Sequence, residues 1–240
     1  RTYFTHPSGT DLSSVPLSLA EGKRRALLSG GKPLPKGERP LLHLPVMNEE
    51  APFDRIQNLD RVVRKLSSTI KQATFAWSSS VGEVAIAGSA NPLCRRSDFS
   101  TRFSVNIVVE ADGSLFSGRA AKAVSLPQDE FLKTVDLEDV AREAFRRALL
   151  LSQAKPCPAS AMPVVLAGKA GGTMVHEACG HSLEADIVLK DHSSFRDSLG
   201  KRIASSLVTL VDDPTLFGLY GSYPFDDEGT PSRRTALIKE

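Results

Sequence analysis

Cysteine is scarce in this chain: three residues in 240, at Cys94, Cys157 and Cys179. So sparse and odd a set excludes a disulfide-stapled scaffold and suits a reducing, cytoplasmic setting. An excess of one charge is also lacking. Thirty Lys+Arg stand against 28 Asp+Glu, a net charge of +2, so there is no electrostatic basis for direct contact with nucleic acid or an anionic membrane. No run of eighteen or more apolar residues is present to span a bilayer. Internal repeats and low-complexity tracts are absent. The chain opens Arg1-Thr2-Tyr3 with neither an initiator Met nor a signal-like segment, and it closes at Thr235–Glu240 in what reads as mid-strand. A piece of a longer protein, lacking both ends, is expected.

What remains is an ordinary globular composition, 41% hydrophobic and 24% charged. Residues 16–29 read as a helix that starts near Pro16 and stops at Gly30-Gly31. Residues 30–53, dense in proline, read as a connector. Ile56, Leu59, Val63, Leu66 and Ile70 recur at helical spacing and predict a helix over 54–72, with Asp54 as its cap. Strands are expected at 74–80, 82–88, 99–110 and 114–119, the last two joined by an Asp112-Gly113 hairpin turn. Residues 137–152 predict a second helix, with Glu143 and Arg147 paired one turn apart. Pro156-Cys157-Pro158 then breaks the chain. Beyond it come an expected strand at 163–166, a Gly-rich turn from Gly168 to Gly172, a helix, and a β-branched stretch at 203–211. The fold class expected is α+β, with mixed helices and mainly antiparallel sheets. The expected parts are 1–53 (the end of an N-terminal region and its connector), 54–157 (a middle α+β domain) and 158–240.

Chemistry concentrates in Val175-His176-Glu177-Ala178-Cys179-Gly180-His181. Two histidines bracketing a glutamate follow the logic of two imidazole ligands plus a carboxylate base. The spacing is one residue longer than HExxH. On a regular helix, residues five apart lie about 140° apart, too far round to share a metal. His176 and His181 converge only if the helix absorbs one extra residue as a π-bulge, which Gly180 would accommodate at little cost. Composition alone predicts roughly 0.006 such matches in a chain with five His. The bland alternative is a core helix whose histidines are satisfied by neighbours. The Gly168 to Gly172 stretch lacks the Lys-Ser/Thr of a phosphate loop and reads as strand-to-helix geometry.

After this element stand Ser182-Leu183-Glu184-Ala185-Asp186, then Val211-Asp212-Asp213, then Asp226-Asp227-Glu228-Gly229-Thr230-Pro231. In this order and rough spacing the segments resemble the TldD/PmbA family, specifically its TldD branch, whose members are zinc metallopeptidases also labelled modulators of DNA gyrase. The resemblance is strongest over 161–240 and is consistent over 54–155. It implies a two-part TldD/PmbA-like architecture in which 158–240 begins the metallopeptidase domain. His176 and His181 would be ligands of a Zn2+ ion, and Glu177 the catalytic base and then acid. The family's third ligand is a cysteine near the C-terminus of the full protein, expected beyond Glu240. Cys179 reads as a buried thiol, and Glu184 and Asp186 as support behind a ligand or at a helix end. Asp227, Glu228, Gly229 and Thr230 would lie along the substrate cleft; without the resemblance that run reads as a charged loop. Arg233 and Arg234 are open to two roles, gripping a peptide carboxylate or pairing with the acidic run. The implied activity is cleavage of unfolded or modified peptides in the cytoplasm, beside a homologous metal-free partner subunit. The alternative is a non-catalytic peptide-binding or gyrase-directed regulatory subunit.

Overall fold

A computed structural model describes residues 50–86 and 94–239. The expected helix at 16–29 and most of the connector at 30–53 lie outside the described residues. Contacts divide the chain into two units. The first holds the described residues up to Gln153 together with Pro214–Ser232, and the second holds Ala154–Asp213 and Arg233–Glu240. The architecture is α+β, with antiparallel sheets, as expected.

The first unit is built on three strands: β1 (Ile70–Ile86), β2 (Cys94–Ala111) and β3 (Ser114–Val124). They form an antiparallel meander with β2 in the centre. Phe103, Val105, Ile107 and Val109 alternate along β2 and are all at most 1% exposed, so one face of the sheet is the core. The β2–β3 turn has positive φ at both Asp112 (49°) and Gly113 (74°), the type I′ geometry that Asp-Gly favours. The expected pair of strands at 74–80 and 82–88 is one continuous strand as far as Ile86, where the described residues break off, because Gly82 stays in register opposite Asp98.

Helix α1 (Glu50–Arg64) buries Leu59 and Val63. It ends well before the expected residue 72, and Asp54 lies inside it rather than at its cap. The physical reason is local. The Ser67 hydroxyl accepts the Thr69 N–H at 3.2 Å and bonds its hydroxyl at 2.8 Å, a turn that competes with helix. Ile70 then opens β1 instead of closing α1. Helix α2 (Gln128–Thr134) had no sequence signal, being too short to show a period, yet its Phe131 is fully buried edge-on to Trp77 at 5.2 Å.

Helix α3 (Leu137–Ser152) matches its expected bounds. Asp136 caps it by accepting the Glu138 N–H at 2.8 Å. Glu143 pairs with Arg147 as expected, and also with Arg146. Val140, Ala141, Ala144 and Ala148 form its buried face. At Gly118 the β3 backbone passes so close that an added Cβ would lie 2.2 Å from the Ala144 carbonyl oxygen.

The second unit contains α4 (Gly168–Val175), a π-helical turn (His176–Gly180), a 3-10 turn (His181–Leu183) and α5 (Ala185–Leu189). It also holds the two-stranded pair β4 (Leu210–Asp212) and β5 (Thr235–Ile238). The expected strand at 163–166 is not formed: these residues have no regular secondary structure, and Val165 is 98% exposed. The expected Gly-rich turn is helical, since Gly168 to Gly172 make up most of α4.

Candidate metal centre

Residues 168–189 change helical period twice, and each change places a side chain. Helix α4 runs as a regular α-helix to Val175. The chain then widens: the His181 N–H donates to the His176 carbonyl, five residues back. This is the π turn that the long spacing required. One extra residue is absorbed between the histidines, and their rings meet at 4.4 Å between centroids, tilted by 68°. Gly180 stands beside the His176 ring, where a Cβ would come to 3.5 Å from Nδ1.

Ligand-type atoms of His176, Glu177 and His181 lie within 4.8 Å of one another, a set of donors that could hold a metal ion. Glu177 Oε2 is 3.8 Å from His181 Nε2, too far for a hydrogen bond. The trio is open to solvent, with the His181 and Glu177 side chains 53% and 66% exposed. Two imidazoles and a carboxylate converging at one exposed point are donors that zinc accepts, and the point is open to water. The bland alternative, histidines satisfied in a core, does not apply to rings this exposed.

The neighbouring candidates separate cleanly. Glu184 Oε1 lies 2.8 Å from His181 Nδ1, on the ring nitrogen that is not part of the Nε2–Glu177 approach. Asp186 pairs with Lys190 at 2.9 Å, and that hydrogen bond holds its carboxyl below the usual range. Cys179 is half-buried on the π turn and is not one of the trio. His192 is exposed in its loop. Arg234 lies 3.9 Å from Asp213, so the acidic group beside it is that of the V-D-D segment rather than the 226–228 run.

Asp227, Glu228, Gly229 and Thr230 belong to the first unit. Their loop is organised by Asp226, whose Oδ1 accepts the N–H groups of Glu228 (2.9 Å) and Thr230 (2.8 Å). These bonds, the Thr230 N–H foremost, hold the Asp226 carboxyl below its ordinary range. Gly229 turns the chain at φ 81°, a conformation that glycine takes without strain. The loop is anchored by Arg96, which sequence reading missed. Its guanidinium donates to both oxygens of Asp98 (2.9 and 3.0 Å), to Asp227 at 2.9 Å and to the Phe225 carbonyl. It also stands over the rings of Tyr223 (5.7 Å) and Phe225 (5.3 Å). Burial pulls the Arg96 pKa down, but the two carboxylates more than offset this and leave it raised. No local pattern announces this role, because the loop partners Phe225 and Asp227 lie about 130 positions away.

Comparison with known proteins gives the family. Family models described as the PmbA/TldA metallopeptidase central domain and C-terminal domain match residues 42–151 and 159–240. A Methanocaldococcus jannaschii metalloprotease is 46% identical over 101 residues, covering 42% of this chain and 22% of that protein. A Buchnera aphidicola metalloprotease TldD homologue is 30% identical over 233 residues, covering 94% of this chain and 48% of that protein. The solved structure of TldE from Thermococcus kodakarensis superposes with a TM-score of 0.63 at 15% identity, covering 86% of this chain and 46% of that one, a likeness of fold. The chain thus spans less than half the length of these relatives. Two family models matched in order along the chain, and a TldD homologue 30% identical over 94% of it, place this chain in the PmbA/TldD metallopeptidase family.

Proposed function

We propose that this chain carries the ligand and proton-handling residues of a zinc-dependent peptidase acting on unfolded or modified peptides. The observation that supports this most is the π turn that brings His176, Glu177 and His181 to one point. His176 and His181 would hold the ion through ring nitrogens, with the family's cysteine as third ligand, outside these 240 residues. When bound, zinc supplies Lewis acidity toward a water molecule and the scissile carbonyl. The rest is done by protein groups. Glu177 keeps a carboxylate beside the His181 ring and in water's reach, accepts the attacking water's proton and passes it to the departing amine. Asp227, Glu228, Gly229 and Thr230 would contact the substrate from a loop held in shape by Asp226 and Arg96. A homologous metal-free subunit is the proposed partner. The cytoplasm is the proposed location, where the three cysteines stay as thiols.

Elemental mass spectrometry of the purified chain, beside His176→Ala, is the first test. About one equivalent of zinc, lost in the variant, is expected. Glu177→Gln should keep the metal and lower peptide cleavage by at least about a hundredfold. A Glu177→Gln protein with full cleavage activity would sink the mechanism. Absence of zinc uptake both in this chain and in a longer chain carrying the third-ligand cysteine would favour the alternative of a non-catalytic peptide-binding or regulatory subunit, which has no use for converging histidines.

A further inference from the structure

The imidazole of His181 can present either ring nitrogen to a cation, and the backbone around it decides which. After the π turn the chain tightens into a 3-10 turn from His181 to Leu183. In that geometry side chains three residues apart eclipse, so Glu184 falls directly over His181. Glu184 is anchored at both of its backbone groups. Its N–H donates to the His181 carbonyl at 3.3 Å, and its own carbonyl accepts the Val188 N–H at 3.0 Å as α5 begins. With ψ at 134° it leaves the helical region and caps the next helix.

The result is a contact of 2.8 Å between Glu184 Oε1 and His181 Nδ1. An ionised carboxylate has only acceptors, so Nδ1 must carry the hydrogen. A neutral imidazole has a single N–H, and Nε2 is therefore left with its lone pair. Nε2 is also the nitrogen that faces Glu177, at 3.8 Å from Oε2. Unaided histidine in water prefers the opposite form, with hydrogen on Nε2.

We infer that Glu184 is a positioning residue: it fixes the His181 ring with hydrogen on Nδ1 so that Nε2 is offered as the metal ligand. This rests on the proposal that His176 and His181 hold a metal. Carboxylates set behind ligand imidazoles typically alter metal affinity by about 10–100-fold.

The test reads the ring directly and without metal. Nitrogen-15 NMR of the metal-free 240-residue chain at about pH 8.5, where imidazole is neutral, should show His181 predominantly as the Nδ1–H form. Glu184→Ala should shift it toward the Nε2–H form while exposed His192 stays unchanged. Zinc affinity, measured by competition with a chromogenic chelator, should fall about 10–100-fold in Glu184→Ala. Glu184→Gln, whose amide oxygen still accepts from Nδ1–H, should recover most of it. A wild-type His181 in the Nε2–H form that nevertheless binds zinc overturns the positioning role alone. Unchanged zinc affinity in Glu184→Ala does the same. An Nδ1–H ring in a longer chain that carries the third-ligand cysteine and still takes up no zinc overturns the metal reading and the positioning role together.

Discussion

At the residue scale, single side chains divide into those that face a ligand and those that hold a loop. His176, Glu177 and His181 are exposed and convergent, an arrangement with little value to stability and much to chemistry. Asp226 is the reverse. Its carboxylate satisfies the N–H groups of Glu228 and Thr230, and this depresses its pKa. A depressed carboxyl favours the folded loop at every pH above the unfolded value of about 3.9. That contribution fades as pH falls through the lower folded pKa. Amide shifts of Glu228 and Thr230 should therefore hold steady down to about pH 4 and move only below it. Asp226→Ala should shift them at neutral pH. The identities at these positions were legible in the sequence. The Arg96 anchor was not, because its value comes from partners at Asp227 and Phe225 that only folding brings near.

At the element scale, the helical stretch from Gly168 to Leu189 works by breaking its own regularity. Removing Cys179 would restore the four-residue spacing between the histidines. The π turn should then relax to α-helix with both rings still on one face, about 40° apart. Zinc binding should persist in that variant. Inserting a residue at the same place should abolish it, and isothermal titration with zinc would report both. On the other unit, Gly118 meets the α3 backbone so closely that no side chain fits. Gly118→Ala should cost about 1–3 kcal/mol or more through forced separation of β3 and α3, read as a lowered Tm. On the exposed face of α3, Glu143 is held down to about 2 by its hydrogen bonds from Arg146 and Arg147. At 35% side-chain exposure solvent screens much of this, so the pairs add only modestly to stability. That advantage over Glu143→Gln should be present at neutral pH and vanish between about pH 4.5 and pH 2. Helix α3 was readable because sixteen residues of clear period carry their own signal. Helix α1 was read too long because Leu66 and Ile70 kept the period while the Ser67 and Thr69 hydroxyls ended the helix.

At the scale of the whole molecule, the two units differ in kind. The first has a continuous core in which Phe103, Ile107, Val63, Phe131 and Ala144 are fully buried. Among the described residues of the second, none is buried, and Leu199, Val165 and Leu207 are at least 93% exposed. Local opening costs little where few apolar contacts close over the backbone. Hydrogen exchange should therefore be slow in β2 and α3 and faster by orders of magnitude across 154–213, the π turn included. Equal protection in both regions would contradict this picture. Zinc binding should slow exchange at 176–184 selectively, since a ligand stabilises the state that binds it.

The sequence by itself determined the α+β class, the family, helix α3, the Asp112-Gly113 turn and the need for an extra residue between the two histidines. Each of these is written in near-neighbour patterns: a period, a turn dipeptide, a motif and its spacing. Tertiary structure alone decided that α2 would form against Trp77. It also decided that β1 would run unbroken through Gly82 and that Arg96 would clamp a loop far along the chain. Those outcomes depend on partners distant in sequence, whose energies exist only once the sheet has paired and the core has closed.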